Sequence, residues 1–290
     1  MPRGSQHERL LQWGKNRHGR QLARVSAPQY HESLVSLVYP GNQTSQACLH
    51  PTVAAVERVL GLPPAQRRRT ILRLDGGFGT DANLNWALWH GYQVLAKGYS
   101  GKRAKAFARA VRQWEELRMG ARWIAPAPVP LRYYRRTQTA VLRWKTEQDT
   151  YRHSLLITSL MEHSLAALAE AYDDRAAIEA ELKADKGGLQ LHRRRKQRLA
   201  AQEALVLLTD LAHNLLAWTR EWIFRDSPFA DAGIHRMVKE LLPIPGKVVI
   251  EEGHIVQLRL KTSHPLAKPM LVCLARLFER FGTPGILRKS

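Results

Sequence analysis

The sequence is poor in cysteine and has no long apolar run, and each absence excludes a class of protein. Its two cysteines, Cys48 and Cys273, are too few for a disulfide framework, and no Cys/His pair has zinc-finger spacing. The first residues contain no apolar stretch behind a basic one, as a secretory signal would require. No apolar run is long enough to span a bilayer. We therefore expect a cytoplasmic protein without membrane contact.

Acidic residues are also scarce relative to basic ones. The 290 residues include 45 Lys and Arg against 25 Asp and Glu, giving a net charge of +20 and a pI near 10.5. A field of this sign attracts polyanions and opposes compaction of the chain. DNA or RNA is therefore the first partner to consider, the alternative being a generically basic protein.

The first hundred residues alternate predicted strands and helices. Strands are predicted over residues 21–25, 33–38, 70–75 and 92–97, and helices over residues 51–60 and 80–90. A buried strand, a helix and a second buried strand follow one another between residues 70 and 97. This order predicts a parallel strand pair and an α/β core.

The remainder divides into two further segments, so that the predicted organisation is residues 1–100, 101–160 and 161–290. The middle segment opens with a basic helix predicted over residues 102–118 and continues as a mainly β insertion. In the last segment we predict helices over residues 161–186 and 199–224, a hairpin around Glu252-Gly253, and a final helix from about Pro269.

Asp75 stands where a strand end can hold a metal-binding or catalytic carboxylate. It follows the apolar run 70–74 and precedes Gly76-Gly77-Phe78-Gly79. Ligands of α/β sheets bind at the carboxyl ends of the strands. Two alternatives are a turn aspartate and a methyltransferase-like cofactor loop. The second alternative requires an acid at the end of the next strand, whereas Lys97 stands there and suits a phosphate backbone better.

A second candidate lies on the long helix predicted over residues 161–186. Tyr172, Arg175, Glu179 and Lys186 are separated by offsets that place them on one helix face, and Lys183 lies close to the same line. An acid flanked by basic side chains on one face can bind a metal and a phosphate backbone together. The alternative is a solvated helix face with ordinary ion pairs.

The spacing Tyr172-x2-Arg175-x3-Glu179-x6-Lys186 resembles the Y-x2-R-x3-E-x6-K signature of DDE-type bacterial insertion-sequence transposases. The resemblance implies an RNase H-like mixed sheet flanked by helices, with a mainly β insertion before the Glu-bearing helix. It implies that Glu179 is the third member of a metal triad and that Asp75 is the second, with Mg²⁺ or Mn²⁺ as the cofactor. Tyr172, Arg175 and Lys186 would belong to the pocket that receives the DNA end.

The implied reaction is metal-dependent DNA cleavage followed by strand transfer. The implied partners are the transposon ends and the target DNA, bound by a possible homodimer. Such a protein is bacterial and DNA-associated. Further basic residues that we expect to contact DNA are Lys97, Lys183, Arg193, Arg194 and Arg195.

The first aspartate of the family pattern has no counterpart here. No aspartate precedes Asp75, and the acids Glu8, Glu32 and Glu57 do not follow an apolar strand in the required place. We therefore expect an N-terminally truncated transposase that lacks the first core strand and is inactive alone. The alternative is a non-catalytic DNA-binding remnant or a regulator of transposition.

The middle segment combines basic and aromatic residues. Ten Lys or Arg lie between Lys102 and Arg136, against two acids, Glu115 and Glu116. Aromatic residues are interleaved with this region or follow it, namely Trp114, Trp123, Tyr133, Tyr134 and Trp144. Packing in the core is the expected role for most of these rings, and stacking on a flipped base is the alternative.

Overall fold

The structure is a computed structural model and describes residues 19–173, 176–193, 196–252 and 254–281. The chain divides into two compact units. The first consists of Met1–Val25 with Leu37–Ala177, and the second of Ser26–Ser36 with Ile178–Ser290. In the described residues, no helix is both long and apolar enough to cross a membrane.

Strands and helices are numbered here in chain order. The strands are β1 (Arg20–Ala27), β2 (Glu32–Pro40), β3 (Ile71–Leu74), β4 (Gln93–Lys97), β5 (Glu115–Arg118), β6 (Arg122–Pro126), β7 (Gln138–Lys145), β8 (Tyr151–Thr158), β9 (Gly246–Glu251) and β10 (His254–Leu260). The helices are α1 (Ser45–Leu60), α2 (Pro64–Arg67), α3 (Asp81–Trp89), α4 (Gly101–Ala110), α5 (Leu165–Asp173), α6 (Ala176–Gly188), α7 (Leu199–Trp222), α8 (Ile234–Arg236) and α9 (Ala267–Phe281).

The first unit is built on a six-stranded mixed sheet in the order β3-β4-β8-β7-β6-β5. Strands β3 and β4 are parallel, with Leu74 opposite Ala96, while β8 pairs antiparallel with β4 and begins an antiparallel series. The predicted parallel pair and α/β core are confirmed. The predicted β insertion continues the same sheet, because β8 pairs directly with β4.

Alternate residues of the central strands enter two different cores. Val94 and Ala96 of β4 pack with α1, α3 and α4, whereas Leu95 packs with α5 on the opposite face. This separation follows from the two-residue period of a strand, which sends successive side chains to opposite faces. Full burial of a side chain such as Leu95 contributes about 1.5–3 kcal/mol, so both faces stabilise the sheet.

Strand β3 is less buried than the sequence predicts. It lies at one edge of the six-stranded sheet, and Ile71 is 48% exposed while Leu74 is buried. In the part of the chain that is described, β3 pairs with β4 alone. An edge position leaves the second row of backbone groups available for a further strand.

The helix predicted over residues 102–118 is wrong beyond Ala110. Ser100 caps α4 by accepting a hydrogen bond from the Arg103 backbone N–H at 3.1 Å, as the sequence allows. Val111 then adopts an extended conformation, and Glu115–Arg118 forms strand β5 against β6. Glu, Leu and Arg are good helix formers, so pairing at the sheet edge overrides the local propensity here.

Helix boundaries differ from the prediction at two other places. Helix α1 begins at Ser45 rather than Pro51, so the proline lies inside the helix and removes one backbone hydrogen bond. Helix α5 begins after Ser164, whose hydroxyl accepts the Ala167 backbone N–H at 3.2 Å. The remainder of the helix predicted over residues 161–186 is described as α5 and α6, and residues 174–175 lie outside the described residues.

The second unit contains α6 to α9 and the β9–β10 hairpin. Its core is formed by apolar side chains from α7 onward, including Phe224, Phe229, Met237, Leu260 and Cys273. The predicted helix over residues 199–224, the hairpin and the final helix are confirmed, with α9 beginning two residues before Pro269. Gly253 in the hairpin turn lies outside the described residues.

The tip of the β1–β2 hairpin belongs to this second unit and is bound by polar side chains of α7. Asn214 accepts the Ser33 backbone N–H at 2.8 Å and donates to the Ser33 carbonyl at 2.9 Å. Ser36 donates to Asp210 at 3.0 Å. Because buried backbone groups need partners, these contacts specify which residues of the hairpin meet α7.

Candidate active site

Asp75 lies directly behind β3, at the carboxyl edge of the parallel pair. Its side chain is exposed, and one carboxylate oxygen accepts the Gly76 backbone N–H at 2.6 Å. Its carbonyl accepts the backbone N–H groups of Phe78 and Gly79 at 2.9 and 3.1 Å. This turn holds the carboxylate at the strand end, which is where α/β sheets bind their ligands.

Glycine at position 79 is required by the approach of this turn to β4. A Cβ atom at Gly79 would lie 1.9 Å from the carbonyl oxygen of Lys97. A Cβ atom at Gly76 would lie 3.5 Å from the Lys97 side chain. The Asp75 turn and Lys97 are therefore neighbours. The Lys97 ammonium also lies 5.6 Å from the ring centroid of Trp144.

Tyr172 of α5 reaches the same strand end. It is 6% exposed, and its hydroxyl donates to the Leu74 carbonyl at 3.4 Å. Arg73 donates to the Ala171 carbonyl at 2.9 Å. These two bonds attach the end of α5 to β3 beside Asp75. Sequence reasoning missed the role of Arg73, since a single arginine in an apolar run carries no specific signal.

Helix α6 presents the Glu and Lys of the signature on its exposed side. Glu179, Lys183 and Lys186 are exposed, whereas Asp185 and Gly188 are buried. Offsets of four and three residues keep the exposed side chains on one helix face. Arg175 lies outside the described residues.

The opposite face of α6 is held by two histidines within the second unit. The buried Asp185 carboxylate lies 2.8 Å from His213 Nδ1, and Glu181 lies 3.0 Å from His31 Nδ1. His213 Nε2 lies 2.9 Å from the His31 carbonyl, which can only accept. His213 Nε2 therefore donates to the His31 carbonyl, and the Asp185 carboxylate at Nδ1 orients the ring. This network turns Asp185 inward and Glu179 outward.

A second acid near the sheet edge has a structural role. Asp81, in the first turn of α3, pairs with both terminal nitrogens of Arg103 at 3.0 and 2.8 Å and accepts the Tyr133 hydroxyl at 2.8 Å. The Arg103 hydrogen bonds hold the pKa of Asp81 below its usual value. Burial and the Asp81 contact raise the pKa of Tyr133. The sequence pattern does not single out Asp81.

The basic run after α6 is described only in part. Arg193 is exposed and lies in the turn that follows α6, while Arg194 and Arg195 lie outside the described residues. Exposed guanidinium groups can contact phosphate without losing an internal partner.

The donor set fits a hard divalent cation incompletely. Asp75 and Glu179 offer carboxylate oxygens, the ligands that Mg²⁺ and Mn²⁺ prefer. Among the described residues, no group of three or more His, Cys, Asp or Glu side chains is arranged to hold a metal ion. Asp75 belongs to the first unit and Glu179 to the second.

Comparison with known proteins identifies the family. No curated protein matches the chain. Residues 31–280 match the family model described as transposase DDE domain group 1. The match spans most of the sequence, including β3, the Asp75 turn and α6, and it confirms the resemblance seen in the signature residues. The chain therefore belongs to the DDE-domain transposases of group 1.

Proposed function

We propose that this chain is the catalytic domain of a transposase that cleaves DNA at transposon ends and joins those ends to target DNA with a divalent metal. The observation that carries the proposal is the family match over residues 31–280. The geometry at the end of β3 supports it, because Tyr172 of the signature donates a hydrogen bond to the carbonyl of Leu74, the residue before Asp75.

Asp75 and Glu179 hold Mg²⁺ or Mn²⁺ in this proposal. When bound, such a cation would supply charge stabilisation at the scissile phosphate and would activate the attacking oxygen. Lys97, whose side chain lies beside the Asp75 turn, contacts a phosphate of the DNA in this proposal. Six basic residues contact the DNA backbone in this proposal, namely Arg175, Lys183, Lys186, Arg193, Arg194 and Arg195. The burial of Tyr172 favours a positioning role, through Leu74, over direct contact with DNA.

We propose that a further strand supplies the third carboxylate. No aspartate precedes Asp75 in the sequence, and the described part of β3 has an open edge. A strand that pairs with this edge would end beside Asp75 if it ran parallel to β3. Without it the chain binds DNA but transfers strands poorly, which is also the behaviour of a DNA-binding remnant or regulator.

A second copy of the chain is the partner that we propose for α7. Leu207, Leu208, Leu211 and Leu215 are each more than half exposed on this helix. The stripe carries no charged side chain, although the chain has a net charge of +20. Two like-charged copies meet most easily through a neutral apolar surface, because the like-charge repulsion is smallest there.

Cleavage and joining of DNA that carries the sequences flanking the gene would test the catalytic proposal. The chain should be compared with a version in which an Asp-bearing strand is placed before Gly19. With Mg²⁺ or Mn²⁺, we expect joining by the extended version and at least ~10²-fold less by the chain alone, since a misplaced attacking oxygen costs about that much.

In the extended version, two substitutions and one control test whether Asp75 and Glu179 are required for joining. Asp75→Asn and Glu179→Gln should each abolish joining, whereas Glu203→Gln on the exposed surface of α7 should retain it. Equal joining by the chain alone and the extended version would remove the argument for a third ligand. Full DNA binding without joining by either version would support the alternative function, a non-catalytic DNA-binding remnant or regulator of transposition.

A further inference from the structure

An arginine enclosed by aromatic rings lies on the sheet of the first unit, away from the candidate active site. We name this group the Arg143 box: Trp114, Trp123, Arg143, Tyr151 and His153. Trp123 lies opposite Arg143, and Arg143 lies opposite His153, on the adjacent strands β6, β7 and β8. Directly opposite residues share one face of a sheet, and Tyr151 shares it too, two residues before His153.

This face is the opposite one from the α5 side. Val141 and Leu155 alternate with Leu142 and Leu156 and pack in the core that contains Ala104 of α4. Arg143 is in phase with Val141. Trp144, which lies beside Lys97, is in phase with Leu142 and packs towards α5. The Arg143 box is therefore separate from the Asp75 turn and Lys97.

Three rings surround the guanidinium group. Its central carbon lies 4.4 Å from the Trp114 ring centroid, 4.6 Å from that of Trp123 and 5.0 Å from that of Tyr151. The negative ring faces attract a cation, and they fix the orientation of a side chain that would otherwise sample many rotamers. An arginine ordered in advance loses less entropy when it binds a ligand.

The hydrogen-bonding capacity of Arg143 is left unused by the described residues. Its Nε is buried and has no hydrogen-bond partner there, and no carboxylate of those residues forms an ion pair with it. Glu116, the acid opposite Trp123, accepts the Gly120 backbone N–H at 2.6 Å instead. Ring faces attract the charge but do not replace in-plane acceptors, so the guanidinium retains donors for an external anion.

The surroundings favour an anionic ligand over any other. Burial, together with the charges of Arg143 and Lys105, lowers the pKa of His153, whose Nδ1 is buried without a partner in the described residues. Lys105 is exposed on α4, the basic helix that packs on the same sheet. Two cations therefore act on one place without a neutralising acid between them in the described residues.

We propose that the Arg143 box is a second nucleic-acid contact, in which Arg143 binds a backbone phosphate and Tyr151, 48% exposed at the rim, contacts the adjoining sugar or base. The proposal rests on the proposed function only in that the chain acts on DNA; it does not depend on the metal or on Glu179. The ordered guanidinium matches the two oxygens of a phosphodiester. A duplex and a single strand both supply this chemistry.

Fluorescence anisotropy with a labelled mixed-sequence 30-base duplex, and with its single strand, tests the proposal without divalent metal between 50 and 200 mM NaCl. Arg143→Met keeps an apolar chain among the rings and removes the charge. It should weaken binding at 50 mM about tenfold and reduce the slope of log affinity against log salt by about 1, the value for one phosphate contact. Arg143→Lys should recover part of the loss. The strand form that shows the larger effect identifies the source of the phosphate.

Arg236→Met is the matched control, because it removes one charge from an arginine already paired with Glu240 in the second unit. Equal losses for Arg143→Met and Arg236→Met would overturn the proposal and leave DNA binding intact. Absence of binding by the unmodified chain at 50 mM NaCl would overturn the proposed function as well.

Chemical protection supplies a second measurement that needs no variant. Phenylglyoxal modifies accessible arginines, and digestion with mass spectrometry reports Arg143 separately. We expect Arg143 to react in the free chain and to be protected when the duplex or single strand is bound. Equal reaction with and without nucleic acid, or no reaction even in the free chain, contradicts the proposal. This measurement tests the proposal even if the Arg143→Met variant does not fold.

Discussion

At the scale of single residues, the Asp75 turn shows how one missing Cβ positions a carboxylate. Gly79 allows the turn to approach the carbonyl of Lys97, and the Gly76 backbone N–H binds the Asp75 side chain. Both contacts lie within the first unit. The geometry of the turn is therefore a property of the parallel β3–β4 pair.

Replacing Gly79 with alanine should destabilise the first unit. The new Cβ would lie 1.9 Å from a backbone oxygen that cannot rotate away, so the strands must separate, at a cost of about 1–3 kcal/mol. Gly101→Ala is the control, since a Cβ there meets nothing within 4 Å. Urea unfolding measures both, and equal midpoints for the two variants would show that the turn relaxes freely.

Asp81 should make stability sensitive to acid. Hydrogen bonds from Arg103 hold its folded-state pKa below the usual value of an aspartate side chain, so the ionised form is favoured on folding. The stabilisation is present above the unfolded-state pKa and is lost as pH falls through the folded-state value. It should be small, because the Asp81 side chain is half exposed.

The comparison that checks this prediction is urea unfolding of the wild type and Asp81→Asn from pH 7 to pH 3. The wild type should be more stable at neutral pH, and the difference should shrink below about pH 4. Added salt should reduce the difference as well, since the pair is exposed to solvent. A constant difference at all pH values would mean that Asp81 acts by shape alone.

At the scale of elements, α6 and α7 each have one face that makes internal contacts and another that is exposed to solvent. The inward face of α6 carries Asp185, bound to His213 of α7, and the outward face carries Glu179. The α7 side chains Asn214 and Asp210 bind the β1–β2 hairpin tip. These polar residues of α7 are therefore used internally, whereas several of its leucines are exposed.

Charged substitutions on the α7 leucine stripe should prevent self-association. Leu208→Glu combined with Leu211→Glu places charge where the proposal puts a second copy, and it should shift the chain towards monomer without unfolding it, because both leucines are more than half exposed. Light scattering after size exclusion, with circular dichroism for folding, measures the effect. Val59→Glu on α1 is a control of similar exposure. A wild type that is monomeric at all concentrations, with and without DNA, would contradict the role of α7.

At the scale of the whole molecule, the net charge of +20 dominates the expected behaviour with DNA. If about six phosphates are neutralised, affinity for duplex DNA should fall by ~10³ between 50 and 200 mM salt. The reason is that the release of counterions from the DNA is less favourable when the surrounding salt is more concentrated. Anisotropy measured over this range gives the slope. Binding that hardly changes with salt would argue against contact with the phosphate backbone.

Much of the secondary structure could be predicted from local patterns. The run 70–75, the glycines behind it and the run 92–97 predicted the parallel pair, and the helical spacing from Tyr172 to Lys186 predicted a face that carries Glu179, Lys183 and Lys186. Both patterns depend on a fixed period of the backbone, two residues in a strand and 3.6 in a helix. The placement of that face relative to Asp75 stays a prediction.

Other features depend on partners distant in sequence. The Glu115–Arg118 segment has helix-forming residues but becomes a strand because β6 offers it backbone partners. Trp114, Trp123 and Tyr151 surround Arg143 only because three strands lie side by side in one register. No sequence period links these residues, so their proximity could not be read from the chain alone.

The sequence by itself determined the charge, the α/β class and the signature that marks the family, because these depend on composition and on local spacing. The tertiary structure decided which acids are exposed and which are engaged: Asp75 stands at a strand end, Asp81 is paired with Arg103, and Asp185 is buried against His213. The physical reason is that a carboxylate acquires its role from burial and from hydrogen-bond donors, and the folded chain brings those donors from other elements.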